Sequence, residues 1–196
     1  MRDLYLGDSL DMSKRATVSL LRNVGFSLCI CPLPSQREFT DAVYRSCLGL
    51  STSDRIFNPP VRFRSIGRAR HLEALREELS TWGPGQAGIA LLDPDKGVHD
   101  SRRSNLFVTV GEINALLEIA NGPVIAIYHH RNAGSISCSG LLERLIPRPA
   151  VAYRFGAAIL LFAHTEVAPL RKISNALVAE LNAKRIELNQ VLRSTA

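Results

Sequence analysis

Apolar residues along this chain follow two spacings. Nearly unbroken apolar runs occur at residues 26–31 (Phe-Ser-Leu-Cys-Ile-Cys), 89–92 (Ile-Ala-Leu-Leu) and 124–128 (Val-Ile-Ala-Ile-Tyr). Runs without polar alternation read as strands buried on both faces, the signature of a parallel sheet. Between them, apolar residues recur every three or four positions. Met12, Ala16 and Leu20 predict a helix over 11–23, capped by Asp8 or Asp11 and stopped by Gly25. A second helix is expected over 36–47, after Pro32 and Pro34 end the first strand. Leu72, Leu75 and Leu79 form the stripe of a third over 68–81. Thr109, with Glu112 three residues on, predicts a capping box opening a helix over 110–120, which Asn121-Gly122-Pro123 ends.

The remaining stretches fill in the order. Residues 51–60 read as a proline-bounded loop, and the alternation at 61–66 predicts a strand with Arg62 and Arg64 on one face. Residues 98–105 are polar and basic, as in an exposed loop, and 131–139 are rich in Gly and Ser. A short helix is expected over 141–146. Strands over 150–155 and 157–164 meet at Gly156 as a hairpin or one bent ribbon. A long helix over 169–193 closes the chain, with Leu170, Ile173, Leu177, Leu181, Leu188 and Leu192 as its stripe.

Strands alternating with helices from residue 26 to 130 predict an α/β fold. The expected form is a doubly wound, mostly parallel sheet with an antiparallel edge strand and a long C-terminal helix. Residues 1–166 are then the α/β domain, with 167–196 packed on it or extending from it, where a homodimer contact is one role for the thinning stripe.

Composition narrows the function. No apolar stretch approaches the length that spans a bilayer, and no membrane partner is expected. The first residues, Met-Arg-Asp-Leu-Tyr-Leu-Gly-Asp, lack an apolar signal core, so a cytoplasmic protein is expected. Cys29, Cys31, Cys47 and Cys138 include no C-x-x-C pair, which argues against a zinc knuckle or disulfide framework. The formal charge is +6, carried mainly by arginine, and guanidinium binds phosphate in a bidentate fork. Nucleic acid is therefore one partner to expect, with Arg62, Arg64, Arg102 and Arg103 as its contacts; a solvated basic face is the alternative. Arg68 and Arg70 extend the same basic set.

The strongest chemical signal follows the central apolar run: Asp93-Pro-Asp-Lys-Gly97. Open α/β sheets place ligands at the carboxyl ends of their strands, and Pro94 holds Asp93 extended there. Collecting the groups expected at that edge gives Asp93, Asp95, Tyr128 and His129 as catalytic candidates, with His164 nearby. Asp8, Asp11 and Lys14 on the first helix are candidate cofactor-binding groups. Three readings fit them. One is a methyltransferase-like site, where Asp93 accepts a base's exocyclic amine beside an aromatic ring. Another is a Mg²⁺ site for phosphoester cleavage, built from Asp93, Asp95 and Asp8 or Asp11, with Lys96 stabilising charge. The third is a non-catalytic nucleotide- or nucleic-acid-binding accessory protein, in which the acids cap strands and helices. In either enzymatic reading, Asp93→Asn is expected to keep the fold and weaken ligand binding.

Taken together, Tyr5-x-Gly-Asp-x-x-Asp-x-x-Lys14, Leu-Leu-Asp-Pro-Asp-x-Gly97 and Tyr128-His129 resemble a family of uncharacterised bacterial and phage proteins. Members of that family open with Tyr-Phe-Gly-Asp-x-x-Asp-x-x-Lys-Tyr and contain Phe-Asp-Pro-Asp-Asn-Gly. More distantly, the layout is similar to ribosomal RNA adenine methyltransferases, with Gly-Asn-x-x-Asp-x-x-Lys on a first helix and Asp-Pro-Pro-Tyr after the fourth strand. That resemblance implies a Rossmann fold of methyltransferase type and S-adenosylmethionine as cofactor, with Mg²⁺ as the alternative. It places Lys14 near the cofactor and makes Asp93-Pro94 the amine-acceptor turn. Asp95 and Lys96 stand where that family has its second proline and tyrosine. Cys-Pro-Leu-Pro-Ser-Gln follows the first strand, where a glycine-rich cofactor loop is expected.

Overall fold

The computed structural model describes residues 9–33, 41–57, 67–82, 87–94, 97–100, 107–130, 136–145, 147–155, 158–181 and 186–189. The chain runs α1 (Ser9–Asn23), β1 (Ser27–Leu33), α2 (Asp41–Leu48), β2 (Arg55–Ile56), α3 (Arg68–Ser80), β3 (Gly88–Pro94), β4 (Gly97–His99) and β5 (Phe107–Thr109). It continues with α4 (Val110–Leu117), β6 (Val124–His130), α5 (Cys138–Arg144), β7 (Ala150–Phe155), β8 (Ala158–Ala163), α6 (Val167–Leu181) and β9 (Ile186–Leu188).

Seven strands form one mixed sheet in the order β2-β1-β3-β6-β8-β7-β9. The first four pair in parallel, then β8 runs antiparallel to both β6 and β7, and β7 antiparallel to β9. β4 and β5 make a separate parallel pair. The architecture is α/β and compatible with a Rossmann-like sheet.

Because side chains alternate across a strand, each buried strand feeds two cores. Leu28, Ile30, Ile89, Leu91, Ala126 and Tyr128 join a core completed by α1, α2 and α6. Cys29, Cys31, Ala90, Leu92, Ile125 and Ile127 join the other, completed by α3, α4 and α5. This two-sided burial explains why the central strands carry unbroken apolar runs. α4 opens as its sequence predicts: the Thr109 hydroxyl accepts from the Glu112 amide, and the Glu112 carboxylate accepts from the Thr109 amide.

The C-terminal expectation needs correcting. The closing helix is described over Val167–Leu181, and Ile186–Leu188, expected within that helix, is a strand on the sheet edge. Leu188 pairs opposite Val151 and Glu187 meets Arg154 at 2.6 Å. Asn189 then fastens the edge: its side chain accepts from the Ala150 amide and donates to the Arg148 carbonyl. The stripe thins after Leu181 because the segment that follows alternates with a strand's period. β1 also runs past its expected end, through Pro32 to Leu33. β2 pairs only with Cys29 and Ile30, so Pro32 lies beyond it, where a missing donor costs no ladder bond on that side. The strand expected at 61–66 lies outside the described residues.

Gly88 opens β3 beneath the ring of Trp82, at the end of α3. A Cβ placed on Gly88 would fall 1.6 Å from that ring. Trp82 is buried, so moving aside means repacking the core. Gly88→Ala is expected to cost about 2–3 kcal/mol and lower the melting temperature by roughly 4–10 °C, read by circular dichroism. An unchanged melting curve would show that Trp82 has room to shift.

Candidate functional site

β3 and β6 bring the two candidate strand ends side by side. Leu92 pairs with Ile127 in parallel register, so Asp93 and Tyr128 are the next neighbours. Both follow the alternation onto the face covered by α1 and α2. Lys14 reaches them from α1: its Nζ donates to Asp93 Oδ1 at 2.9 Å and Oδ2 at 3.0 Å. The same ammonium lies 4.1 Å from the centroid of the Tyr128 ring, a cation–π distance. Tyr44, from α2, donates its hydroxyl to Asp93 Oδ2. All four side chains are buried; Lys14 is 4% exposed and Asp93 6%.

An ion pair this deep forms only with complete hydrogen bonding, because each charge loses its hydration. Here both carboxylate oxygens accept, and the ammonium gains an aromatic face. Burial alone would raise the Asp93 pKa, but the Lys14 charge and the hydrogen bonds from Tyr44 and Lys14 outweigh it. The carboxyl is held below its ordinary range. The turn that follows depends on Gly97, whose φ of 100° lies in the left-handed region that favours glycine.

His129 takes the opposite face. Its Nδ1 accepts from the Val98 amide at 2.9 Å, which leaves Nε2 to donate to the Ile136 carbonyl at 3.0 Å. Both ring nitrogens are thus engaged by backbone, fixing the neutral Nε2–H tautomer. Burial lowers the imidazole pKa, and the Ile136 contact only partly opposes this. The ring ties the end of β6 to β4, the next described strand after β3.

The expected set is therefore partly assembled. Lys14, Asp93 and Tyr128 converge, and His129 braces them from behind. Asp8, Asp95 and Lys96 lie outside the described residues, as do Arg62, Arg64, Arg102 and Arg103. Asp11 lies on α1, but its side chain is likewise outside them. His164 is not at this edge. It follows β8, and antiparallel pairing carries the end of β8 to the start of β6, where the ring contacts the Gly122 carbonyl and the Glu166 amide. Arg68 is not a phosphate contact here: it grips the Glu112 carboxylate and donates to the Phe107 carbonyl, joining α3 to β5 and α4.

Sequence reasoning missed Tyr44. Its signal is a phenol on the apolar stripe of the helix following β1, a helix that packs over the strand ends. Also missed was Asp54, buried and accepting from Arg22 at 2.5 Å and from the Ser51 amide and hydroxyl. It secures α1 against the loop before β2.

Among the described residues no group of three or more His, Cys, Asp or Glu is placed to hold a metal ion. Cys29 and Cys31 approach to 3.8 Å between sulfurs, and burial pushes the Cys31 thiol up. Among the described residues no helix is long and apolar enough to cross a membrane. No protein-family model matches the chain, and neither does any curated protein.

The buried pair reverses the expectation for Asp93→Asn. Removing the charge strands the Lys14 ammonium in the core, so the variant is expected to lose about 3–5 kcal/mol of stability. Urea unfolding at neutral pH measures this; a wild-type midpoint would show that Lys14 finds water or another acceptor.

Stability should also rise with pH. Asp93, Glu112 and His129 all have depressed pKa values in the fold, so the unfolded chain binds their protons more readily. The His129 contribution is complete above the unfolded value of about 6.5 and declines below it. The carboxylate contributions are complete above about 4.5 and are lost as the pH falls toward their folded values. Urea midpoints should therefore fall in two stages between pH 8 and 3. His129→Gln should start lower and abolish the first stage; a first stage that persists in this variant would assign it to another group.

Proposed function

We propose that this chain is a nucleic-acid-modifying protein of methyltransferase-like Rossmann type, active or a degenerate relative of such an enzyme. The doubly wound form of the sheet and the adenine-methyltransferase kinship belong to this proposal. The observation that supports it is the meeting of Lys14 with Asp93 across 79 residues. Lys14 and Asp93, one residue from each of two motifs that resemble one enzyme family, meet in a buried site at the strand ends. An aromatic ring, Tyr128, lies beside the carboxylate, the combination that recognises an amine on a base.

The donor set fits S-adenosylmethionine only in part. Lys14 and the strand-end position suit it, but no glycine occurs between Phe26 and Gln36, where a nucleotide needs close backbone approach. In this reading the chain's own residues do the following. Asp93 and Pro94 present the acceptor, Tyr44 orients one of its oxygens, Lys14 neutralises it while no ligand is bound, Tyr128 supplies an aromatic face, and His129 ties the end of β6 to β4. The bound cofactor would supply the transferable methyl group.

A specific observation favours a second reading, the non-catalytic accessory protein. Both oxygens of Asp93 are already satisfied by Lys14 and Tyr44, so the carboxylate acts first as a structural anchor. The same neutralisation counts against the Mg²⁺ reading, since a metal needs a carboxylate whose charge is available.

Calorimetric titration separates these outcomes. Heat with S-adenosylmethionine is expected, and heat with Mg²⁺ alone would overturn the methyltransferase reading in favour of phosphoester chemistry. Silence from both would leave the accessory reading. For the nucleic-acid partner, affinity for a short RNA or DNA duplex should fall steeply between about 50 and 200 mM salt, as each neutralised phosphate releases counterions. Affinity that does not respond to salt would exclude the arginines as phosphate contacts.

A further inference from the structure

The arrangement around Asp93 brings together groups that hold an amine. A carboxylate offers two acceptor oxygens, a phenol fixes one of them, and an aromatic face completes the cradle. Lys14 meets each of these features as a bound primary ammonium would: bidentate on the carboxylate and centred over the ring. The group occupying the cradle belongs to the chain, and it arrives on α1, a helix that packs across the strand ends beside α2.

We propose that Asp93, Tyr44 and Tyr128 form a binding site for a primary amine that Lys14 fills in the resting protein, so that α1 is an intramolecular competitor for the site. The ligand class is a primary ammonium or the exocyclic amine of a nucleobase. A ligand must displace Lys14, and that displacement strips the lysine of its counter-charge unless α1 carries it toward water. Access to the site and the position of α1 are therefore one equilibrium, and a ligand shifts it only by its advantage over Lys14. The inference rests on reading Asp93-Pro94 as an amine-acceptor turn.

The test is chemical rescue. Lys14→Ala removes the internal amine and leaves its space beside Asp93 and Tyr128. Propylammonium chloride should then raise the melting temperature of this variant saturably, by roughly 3–6 °C at a tenfold excess over its dissociation constant. Sodium chloride at equal ionic strength is the control. Wild type, in which Lys14 competes for the cradle, should respond only at much higher concentration. Adenosine and inosine form the second arm, since inosine lacks the exocyclic amine. A shift with adenosine alone assigns the site to base amines, and a shift with propylammonium alone assigns it to aliphatic ammonium; either supports the cradle.

Three results would overturn the proposal: a folded Lys14→Ala protein indifferent to both ligands, an equal response in wild type, or an equal response in Lys14→Ala/Asp93→Asn. Should Lys14→Ala not fold alone, refolding in propylammonium decides the matter, with recovery supporting the site and failure rejecting it. Silence toward S-adenosylmethionine would remove the methyltransferase reading and leave this amine response intact.

Discussion

A buried charge demands its partner, and in this protein that demand fixes the placement of four elements. Asp93 ends the central strand in a region closed to water, where an isolated carboxylate would be prohibitively costly. Lys14 neutralises it from α1, Tyr44 supplies a hydrogen bond from α2, and Tyr128 lends its ring from β6. The apolar contacts of α1 and α2 tolerate small slides of one helix over the sheet. The polar contact does not, since a bidentate bond fails when the helix moves by an ångström or two. Hydrophobic burial thus holds the layers together, while the ion pair sets their register.

Two residues of the sheet's carboxyl edge show how alternation divides labour. Tyr128 and His129 are adjacent in sequence and point to opposite faces. One faces the ammonium and the carboxylate. The other spends both ring nitrogens on backbone, bridging the Val98 amide and the Ile136 carbonyl. An aromatic–histidine pair at a strand end therefore carries two roles, one polar site and one brace.

Much of the frame was legible in the sequence because single-residue chemistry dictated it. Unbroken apolar runs marked β1, β3 and β6, and Thr109 with Glu112 marked the start of α4. The Asp93 turn was found for a physical reason too, since acids after a buried strand are costly unless they have a task. What the sequence hid depended on long-range pairing. His164 sits at the end of an apolar strand like the others, and only the antiparallel direction of β8 sends it to the far end of the sheet. Tyr44 reads as one more apolar residue on a helical stripe until its hydroxyl meets a carboxylate contributed 49 residues later. The closing strand β9 was absorbed into a helical stripe because Leu181 and Leu188 lie seven apart, two helical turns, and a strand of three residues is too short to show its own period.

The separation between Lys14 and Asp93 also imposes an order on folding. α1 is made before β3, so its lysine meets the Asp93 carboxylate only once β3 exists. A nascent chain that has reached only β2 can assemble α1, β1 and α2 around their apolar faces, but their shared polar centre is missing. Burying that face early would cost the ammonium its hydration before Asp93 is there to offset it, which favours loose docking of α1 and α2 until the central strand arrives. Non-local pairing of this kind slows folding, because loop closure is paid for before the contact rewards it. It also makes completion of the central strand the step that fixes α1 and α2 to each other and to the sheet.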